Sequence, residues 1–201
     1  MKDYPRKALL ITWLTYFSFG LFQLFTNDAL VFPSPINALV MFGVSAYSLI
    51  REYFGAIKFE RFGLFMFVFS SLVMFLSDSF MMSIFLNHEI VSDWFTSPYL
   101  LLAQNLGLLA LLSSLLVVAF HLSKIKKLYG LVYVLFFATL VIFGFFDVKI
   151  EALFVLVFVG IVSLVLATMH REQLPSATTA LLYLWGLNVS IACFEYWNLN
   201  L

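Results

Sequence analysis

Seven long apolar runs, separated by short polar connections, dominate the sequence. They cover about residues 8–25, 34–50, 62–86, 98–122, 128–146, 151–168 and 177–196. A helix needs about 20 mostly apolar residues to cross a bilayer, and each run comes near that length. Ser34-Pro35 and Ser97-Pro98 open two runs with a capping residue followed by proline, which suits the first helical position. The pattern predicts an all-α fold, a bundle of seven transmembrane helices forming one transmembrane domain over residues 1–201.

The basic residues are divided unequally between the connections. The N-terminal tail and every second connection hold ten of the eleven lysines and arginines: Lys2, Arg6, Lys7, Arg51, Lys58, Arg61, Lys124, Lys126, Lys127 and Arg171. The other connections hold only Lys149. Connections rich in Lys and Arg remain in the cytoplasm during insertion. We therefore predict a cytoplasmic N-terminus, a C-terminus outside, and a multi-pass location in a bacterial cytoplasmic membrane.

Composition narrows the range of partners. Hydrophobic residues make up 63% of the chain and charged residues 11%, whereas soluble domains contain about 25% charged residues. Membrane lipids are therefore the expected surroundings of the chain. The formal net charge of zero argues against nucleic acid as a partner. The single cysteine, Cys193, excludes an internal disulfide and a site built on paired cysteines, and no cofactor or metal site is predicted.

Asp78 is the acidic residue that the pattern places well inside a predicted span. A carboxylate at the centre of a bilayer costs on the order of 3 kcal/mol, so such a residue usually faces the bundle interior and is a functional candidate. Its neighbours agree with an inward face, since small, polar and methionine residues recur at helical spacing. This stripe contains Ser70, Ser71, Met74, Ser77, Asp78 and Met81.

Polar residues on three predicted spans lie at similar depth. With a rise of 1.5 Å per residue, Asp78 lies about 13 Å below the outer end of its span and Asn188 lies about 13 Å below Trp197. Gln104 and Asn105 lie about 10 Å below Pro98 by the same measure. Buried polar groups in a membrane need hydrogen-bond partners. We therefore expect these side chains to converge around a small polar cavity in the outer half of the bundle.

The last predicted span adds two candidates on the face of Asn188. Trp185 and Glu195 share that face, which predicts a path from the outer surface towards Asp78. The predicted ligand-binding residues are Asp78, Asn188, Gln104, Asn105, Ser77, Trp185 and Glu195. The alternative interpretation is structural, because a protonated Asp78 held by Asn and Ser side chains would lock the bundle without any ligand.

Other polar residues give weaker indications. One outer connection contains His88, Glu89 and Asp93, which would suit a divalent cation only in a fixed geometry. The inner helix ends contain His121 and His170. The zinc-protease motif HExxH and the serine-hydrolase elbow GxSxG are both missing. These absences leave catalytic residues unassigned and favour a protein that is not an enzyme.

Three features of the chain resemble the lysoplasmalogenase family of small multi-pass membrane proteins. Ser77-Asp78 within LVMFLSDSFMM corresponds to the family's acidic residue near the outer part of its third span, and TTALLYLWGLNVSIACFEYW is similar to its last span. The N-terminus-inside start and the length agree as well. The resemblance implies a related fold; the family's ether-lipid hydrolysis, with Asp78 as general acid or base, would here have only half of its acid pair. The second aspartate expected in the penultimate span is missing, since GIVSLVLATM offers only Ser163.

Three functions follow from this pattern. The first is an integral membrane protein whose outer-half cavity around Asp78 binds, senses or moves a small polar or lipidic ligand. The second is a non-catalytic subunit of a larger membrane complex, for which the small-residue stripe Ala103, Gly107, Ala110 and Ser114 would contact either a partner subunit or the rest of the chain. The third is the lysoplasmalogenase-like hydrolase.

Overall fold

The computed structural model describes residues 34–86, 98–145 and 149–199. Side chains are described for 38–76, for 102–142 except 103 and 104, and for 155–191 except 156 and 190. Within these ranges the regular structure consists of six α-helices without a strand, which confirms the all-α class for this part of the chain. The first predicted span, about residues 8–25, lies outside the described residues.

The six helices follow one another through short connections. They are α1 (Ser34–Glu52), α2 (Lys58–Leu86), α3 (Pro98–Ile125), α4 (Lys127–Phe145), α5 (Lys149–Met169) and α6 (Ser176–Leu199). Helix α2 begins at Lys58, whereas the apolar run predicts a start near Phe62. The earlier start has a local cause, because Glu60 lies in the first turn and its Oε2 accepts a hydrogen bond from the Ile57 amide at 2.9 Å. A side chain that folds back in this way accepts a hydrogen bond from an amide that has no carbonyl partner within the helix.

Helix α6 is the central element of the described bundle. It packs mainly on α5 and also contacts α1, α2 and α3, while α2 packs between α1 and α3. Nearly every described side chain of α6 is buried, including Leu181, Leu184, Trp185 and Leu187. This helix is hydrophobic or small on all sides because it has a neighbour on nearly every side.

Glycines allow α5 and α6 to approach closely. A Cβ added at Gly160 would lie 2.8 Å from Cβ of Val189, and one added at Gly186 would lie 2.5 Å from Cγ of Leu164. Both distances are shorter than van der Waals contact, so each side chain fills the space that the opposite glycine leaves. Small residues at contacts of this kind are typical of helix pairs in membranes.

Two described helices contain a segment long and apolar enough to cross a membrane. These segments are Lys58–Leu76 in α2 and Asn105–Ile125 in α3, judged by length and composition. Shorter apolar segments, Lys127–Ile142 and Val157–Met169, occur in α4 and α5. The described part of the chain is therefore helical, with two candidate membrane spans.

Candidate functional site

Three connections meet at one end of the bundle and enclose a pocket there. They are the α1–α2, α3–α4 and α5–α6 connections, which carry most of the described basic residues. We call this cavity the basic-end pocket; its volume is about 610 Å³ and its lining residues are Gly55, Ile57, Glu60, His121, Lys124, Ile125, Gln173 and Pro175. A pocket of a few hundred Å³ that is partly open to solvent has the size of a small-molecule site.

Glu60 forms the floor of the pocket and is only 2% exposed. Its Oε2 caps the start of α2 through the Ile57 amide at 2.9 Å. Its Oε1 lies 3.2 Å from Nε2 of His121 on α3 and accepts the hydroxyl of Thr178 on α6 at 3.4 Å. One carboxylate therefore joins three helices, as a buried charge requires if it is to be compensated.

The imidazole of His121 has a partner at each ring nitrogen. Its Nδ1 lies 3.0 Å from the carbonyl oxygen of Val117, one turn earlier on α3. Its Nε2 lies 3.2 Å from Oε1 of Glu60 on α2. These two contacts fix the orientation of the ring between α2 and α3.

A close approach of three helices positions the polar side chains. A Cβ added at Gly63, one turn after Glu60, would lie 2.9 Å from Cγ2 of Val117 and 3.1 Å from Cδ1 of Leu181. Valine is stiff at χ1 and cannot easily move aside. The absence of a side chain at Gly63 therefore lets α2, α3 and α6 meet closely enough for Glu60, His121 and Thr178 to touch.

Below the pocket the bundle is apolar and tightly packed. The turn beneath the polar cluster is filled by side chains that are 0% exposed: Leu64, Val117, Val118, Leu181 and Leu182. The pocket is thus open at the basic end and closed towards the interior of the bundle. This shape suits a binding site better than a continuous pore.

A second polar contact lies seven residues further along the same three helices. Trp185 is fully buried and its Nε1 donates to Oγ of Ser114 at 2.9 Å, while the Ser114 hydroxyl donates to the Leu111 carbonyl at 2.6 Å. The Trp185 ring also packs edge-on against Phe67, with centroids 6.0 Å apart. All polar atoms of this layer are satisfied within the bundle, so we assign it a structural role.

The predicted outer cavity lies largely beyond the described side chains. Those of Asp78, Ser77, Gln104 and Glu195 are outside the described residues, so their convergence stays a prediction. Of the remaining predicted residues, Trp185 is buried against Ser114, Asn188 is half-buried and Asn105 is exposed.

The helical stripe around Asp78 is described in part. Ser70 and Ser71 are buried, whereas Met74 is 46% exposed. On α3, the small-residue stripe packs within the chain over its described length: a Cβ at Gly107 would lie 3.1 Å from Cγ1 of Val73, and Ala110 and Ser114 are buried. Those three positions therefore contact neighbouring helices of the same chain.

The basic-end cluster was not predicted from the sequence. Glu60 lies among Arg51, Lys58 and Arg61 and looks like one more charge of a solvated connection. One local signal was present, since an acidic residue three positions after a helix start is typical of a capping contact. Its pairing with His121 is tertiary and has no local signature.

The described residues hold no group of three or more His, Cys, Asp or Glu side chains that would suit a metal ion. The polar side chains that line the pocket offer hydrogen bonding and charge. Comparison with protein-family models, with curated proteins and with solved structures finds no match to this chain.

Proposed function

We propose that this protein is a multi-pass integral membrane protein that binds a small ligand in the basic-end pocket, at the cytoplasmic face. The observation that carries the proposal is the buried Glu60–His121 pair on the floor of an open pocket of about 610 Å³. A pocket of this size into which a few polar groups converge is a functional-site candidate.

The exterior of the described helices supports a membrane location. Large apolar side chains that are more than half exposed occur along α2, α3, α4 and α5: Phe65, Leu76, Leu109, Leu131, Leu135, Phe158 and Ile161. Soluble monomers rarely expose apolar surface on this scale, since each such patch favours association. In lipid the same side chains are in their preferred solvent, which supports the proposed membrane location.

The convergence of the three basic connections supports the proposed sidedness. Because all three line one pocket, they lie at the same end of the bundle, as the positive-inside rule requires for an N-terminus in the cytoplasm. The pocket would then open to the cytoplasm, and the connections with few basic residues would lie outside.

Thiol labelling tests this sidedness. Asp28 lies between the first two predicted spans, in a connection without Lys or Arg that the topology places outside. In a variant with Cys193→Ala, we expect a cysteine introduced by Asp28→Cys to react with a membrane-impermeant maleimide in intact cells. A cysteine introduced by Lys126→Cys should react only after the cells are permeabilised, because Lys126 lies between α3 and α4 at the basic end. The reverse pattern, or reaction of both cysteines in intact cells, would contradict the proposed topology.

The proposed binding site can be blocked without strain. A Cβ at Gly55 would meet only the Glu52 carbonyl oxygen, at 3.9 Å, so Gly55→Trp adds bulk at the pocket lining. Gly43 on α1 has nothing within 4 Å of an added Cβ, which makes Gly43→Trp a matched control away from the pocket.

Native mass spectrometry of the protein in nanodiscs reads out the result. We expect a co-purified small molecule or lipid on the wild type and on Gly43→Trp, and its loss from Gly55→Trp. Retention of the ligand by Gly55→Trp, or a wild type without any ligand, would overturn the proposal. Loss in Asp78→Asn but not in Gly55→Trp would move the site to the predicted outer cavity.

A further inference from the structure

We propose that the ligand of the basic-end pocket carries a phosphate group and that Lys124 is its charge partner. This inference rests on the proposed function and names the ligand class of the same site. The phosphate belongs either to a lipid headgroup or to a soluble phosphate ester, since the recognising chemistry is shared.

The charge around the pocket favours an anion. The three connections together with the adjoining helix ends, residues 51–61, 121–127 and 170–175, contain seven basic and three acidic residues, a surplus of four positive charges with neutral histidines. Among these, Lys124 lines the pocket, and its Nζ lies 4.4 Å from the ring centroid of Phe120. A ring beneath an ammonium restrains it by a cation–π contact, so the Lys124 ammonium is held beside Phe120 at the basic end of α3.

The one acidic residue among the pocket-lining residues already has its partners within the bundle. Oε2 of Glu60 accepts the Ile57 amide, and Oε1 accepts the Thr178 hydroxyl and lies 3.2 Å from Nε2 of His121. Both carboxylate oxygens are therefore engaged by the protein. Lys124 is therefore the uncompensated charge of the lining, and a cationic ligand would find no unpaired carboxylate there.

Gln173 adds a hydrogen-bond donor of the required kind. Its Oε1 lies 3.2 Å from Nδ1 of His170, so the amide oxygen is used in that contact. The amide nitrogen remains as a donor on a residue that lines the pocket. Phosphate oxygens only accept hydrogen bonds when ionised, and an amide together with a lysine is a suitable set of donors.

The apolar residues of the pocket lining suit the organic part of a phosphate-bearing ligand. Ile57, Ile125 and Pro175 form an apolar wall beside the polar floor. A phosphate with a small organic group, such as the glycerol of a lipid headgroup, would place its charge at Lys124 and its carbon atoms against this wall. Anionic lipids are concentrated near basic residues at the cytoplasmic leaflet, which gives one ready source.

The test uses protein in dodecyl maltoside micelles, which contain no phosphate, and measures the thermal unfolding midpoint against added probe. The probes are glycerol 3-phosphate and phosphatidylglycerol, with glycerol as the neutral control and ionic strength held constant with NaCl. Lys124→Gln removes the proposed partner. Lys127→Gln removes the same charge from an exposed position that is not part of the lining.

We expect at least one phosphate probe to raise the unfolding midpoint of the wild type and of Lys127→Gln. The apparent affinity of Lys124→Gln for that probe should be about tenfold weaker, because this variant loses one charged hydrogen bond to the phosphate. A response to phosphatidylglycerol alone assigns the lipid headgroup, and a response to glycerol 3-phosphate alone assigns a soluble ester. Equal weakening in both variants, or no response of the wild type to either probe, would overturn the inference. Suppose that the wild type responds to neither phosphate probe, but that a ligand co-purifies with the wild type and is lost from Gly55→Trp. The proposed function then stands and only the phosphate assignment fails.

Discussion

Replacing Glu60 by leucine is expected to lower the free energy of unfolding by about 3–5 kcal/mol, as for other buried ion pairs that lose one partner. The substitution removes the acceptor for His121, Thr178 and the Ile57 amide at once. The imidazole of His121 is 4% exposed and would then have no partner for Nε2 other than whatever water enters. Reversible unfolding of the purified protein in mixed micelles, followed by tryptophan fluorescence, measures the loss.

Two further variants separate the contribution of the polar contacts of Glu60 from that of its packing. Glu60→Gln keeps the shape and can donate an amide hydrogen to Nε2 of neutral His121, so we expect it to cost only about 1 kcal/mol, the worth of a typical hydrogen bond. Glu172→Leu removes an exposed carboxylate from the same end and should change stability by less than about 0.5 kcal/mol. If Glu60→Leu proves no more harmful than Glu172→Leu, the pair does not hold the three helices together.

Trp185→Ala should be the most damaging single substitution within α6, with a loss of about 3–5 kcal/mol. Trp185 is the largest fully buried side chain described, and it contacts Phe67 on α2 and Ser114 on α3. Truncation to alanine leaves a large cavity where three helices meet, and a tightly packed bundle collapses only partly around such a space. Unfolding under the same conditions gives the free energy.

Trp185→Phe is the informative comparison for that site. It keeps an aromatic ring beside Phe67 but removes the N–H that reaches Ser114, whose own hydroxyl still donates to the Leu111 carbonyl. We expect a loss of about 1 kcal/mol, since no buried polar group is left without a partner. A cost as large as that of the alanine variant would mean that the hydrogen bond, rather than the filled volume, dominates. A negligible cost for Trp185→Ala would place Trp185 in a loose cavity, as expected for a ligand-binding residue.

The sequence predicts the helical class well and predicts helix starts less well. Apolar runs of this length have few alternatives to helix, because a backbone in lipid must satisfy its own hydrogen bonds. The apolar pattern predicts that α2 starts near Phe62, because the charged residues before it are typical of a connection. In the structure these residues form the first turn, stabilised by the Glu60 cap and by the Arg61 Nε hydrogen bond to the Ala56 carbonyl at 2.9 Å.

The candidate site shows where reasoning from one sequence ends. Distance along a helix gives the depth of a residue in the bundle, and Asp78 and Asn188 have the same predicted depth. It does not give the rotation of each helix, which decides whether two residues at one depth meet. Glu60 and Thr178 are separated by 118 positions in the chain, and their contact depends on the close packing at Gly63. Without the helix rotations, Glu60 could not be distinguished from the solvated charges beside it.

The central position of α6 has a consequence for biosynthesis. This helix follows α1 to α5 in the chain, so it leaves the ribosome after they do. Until α6 is in place, the groove over Gly63 is unfilled. Oγ of Ser114 then has no indole N–H from which to accept a hydrogen bond, and the Thr178 hydroxyl is missing from the cluster around Glu60. Until then, α1 to α5 form an open, incompletely packed assembly. Packing of α6 is the step that completes the described bundle and brings Thr178 to Glu60 on the floor of the basic-end pocket.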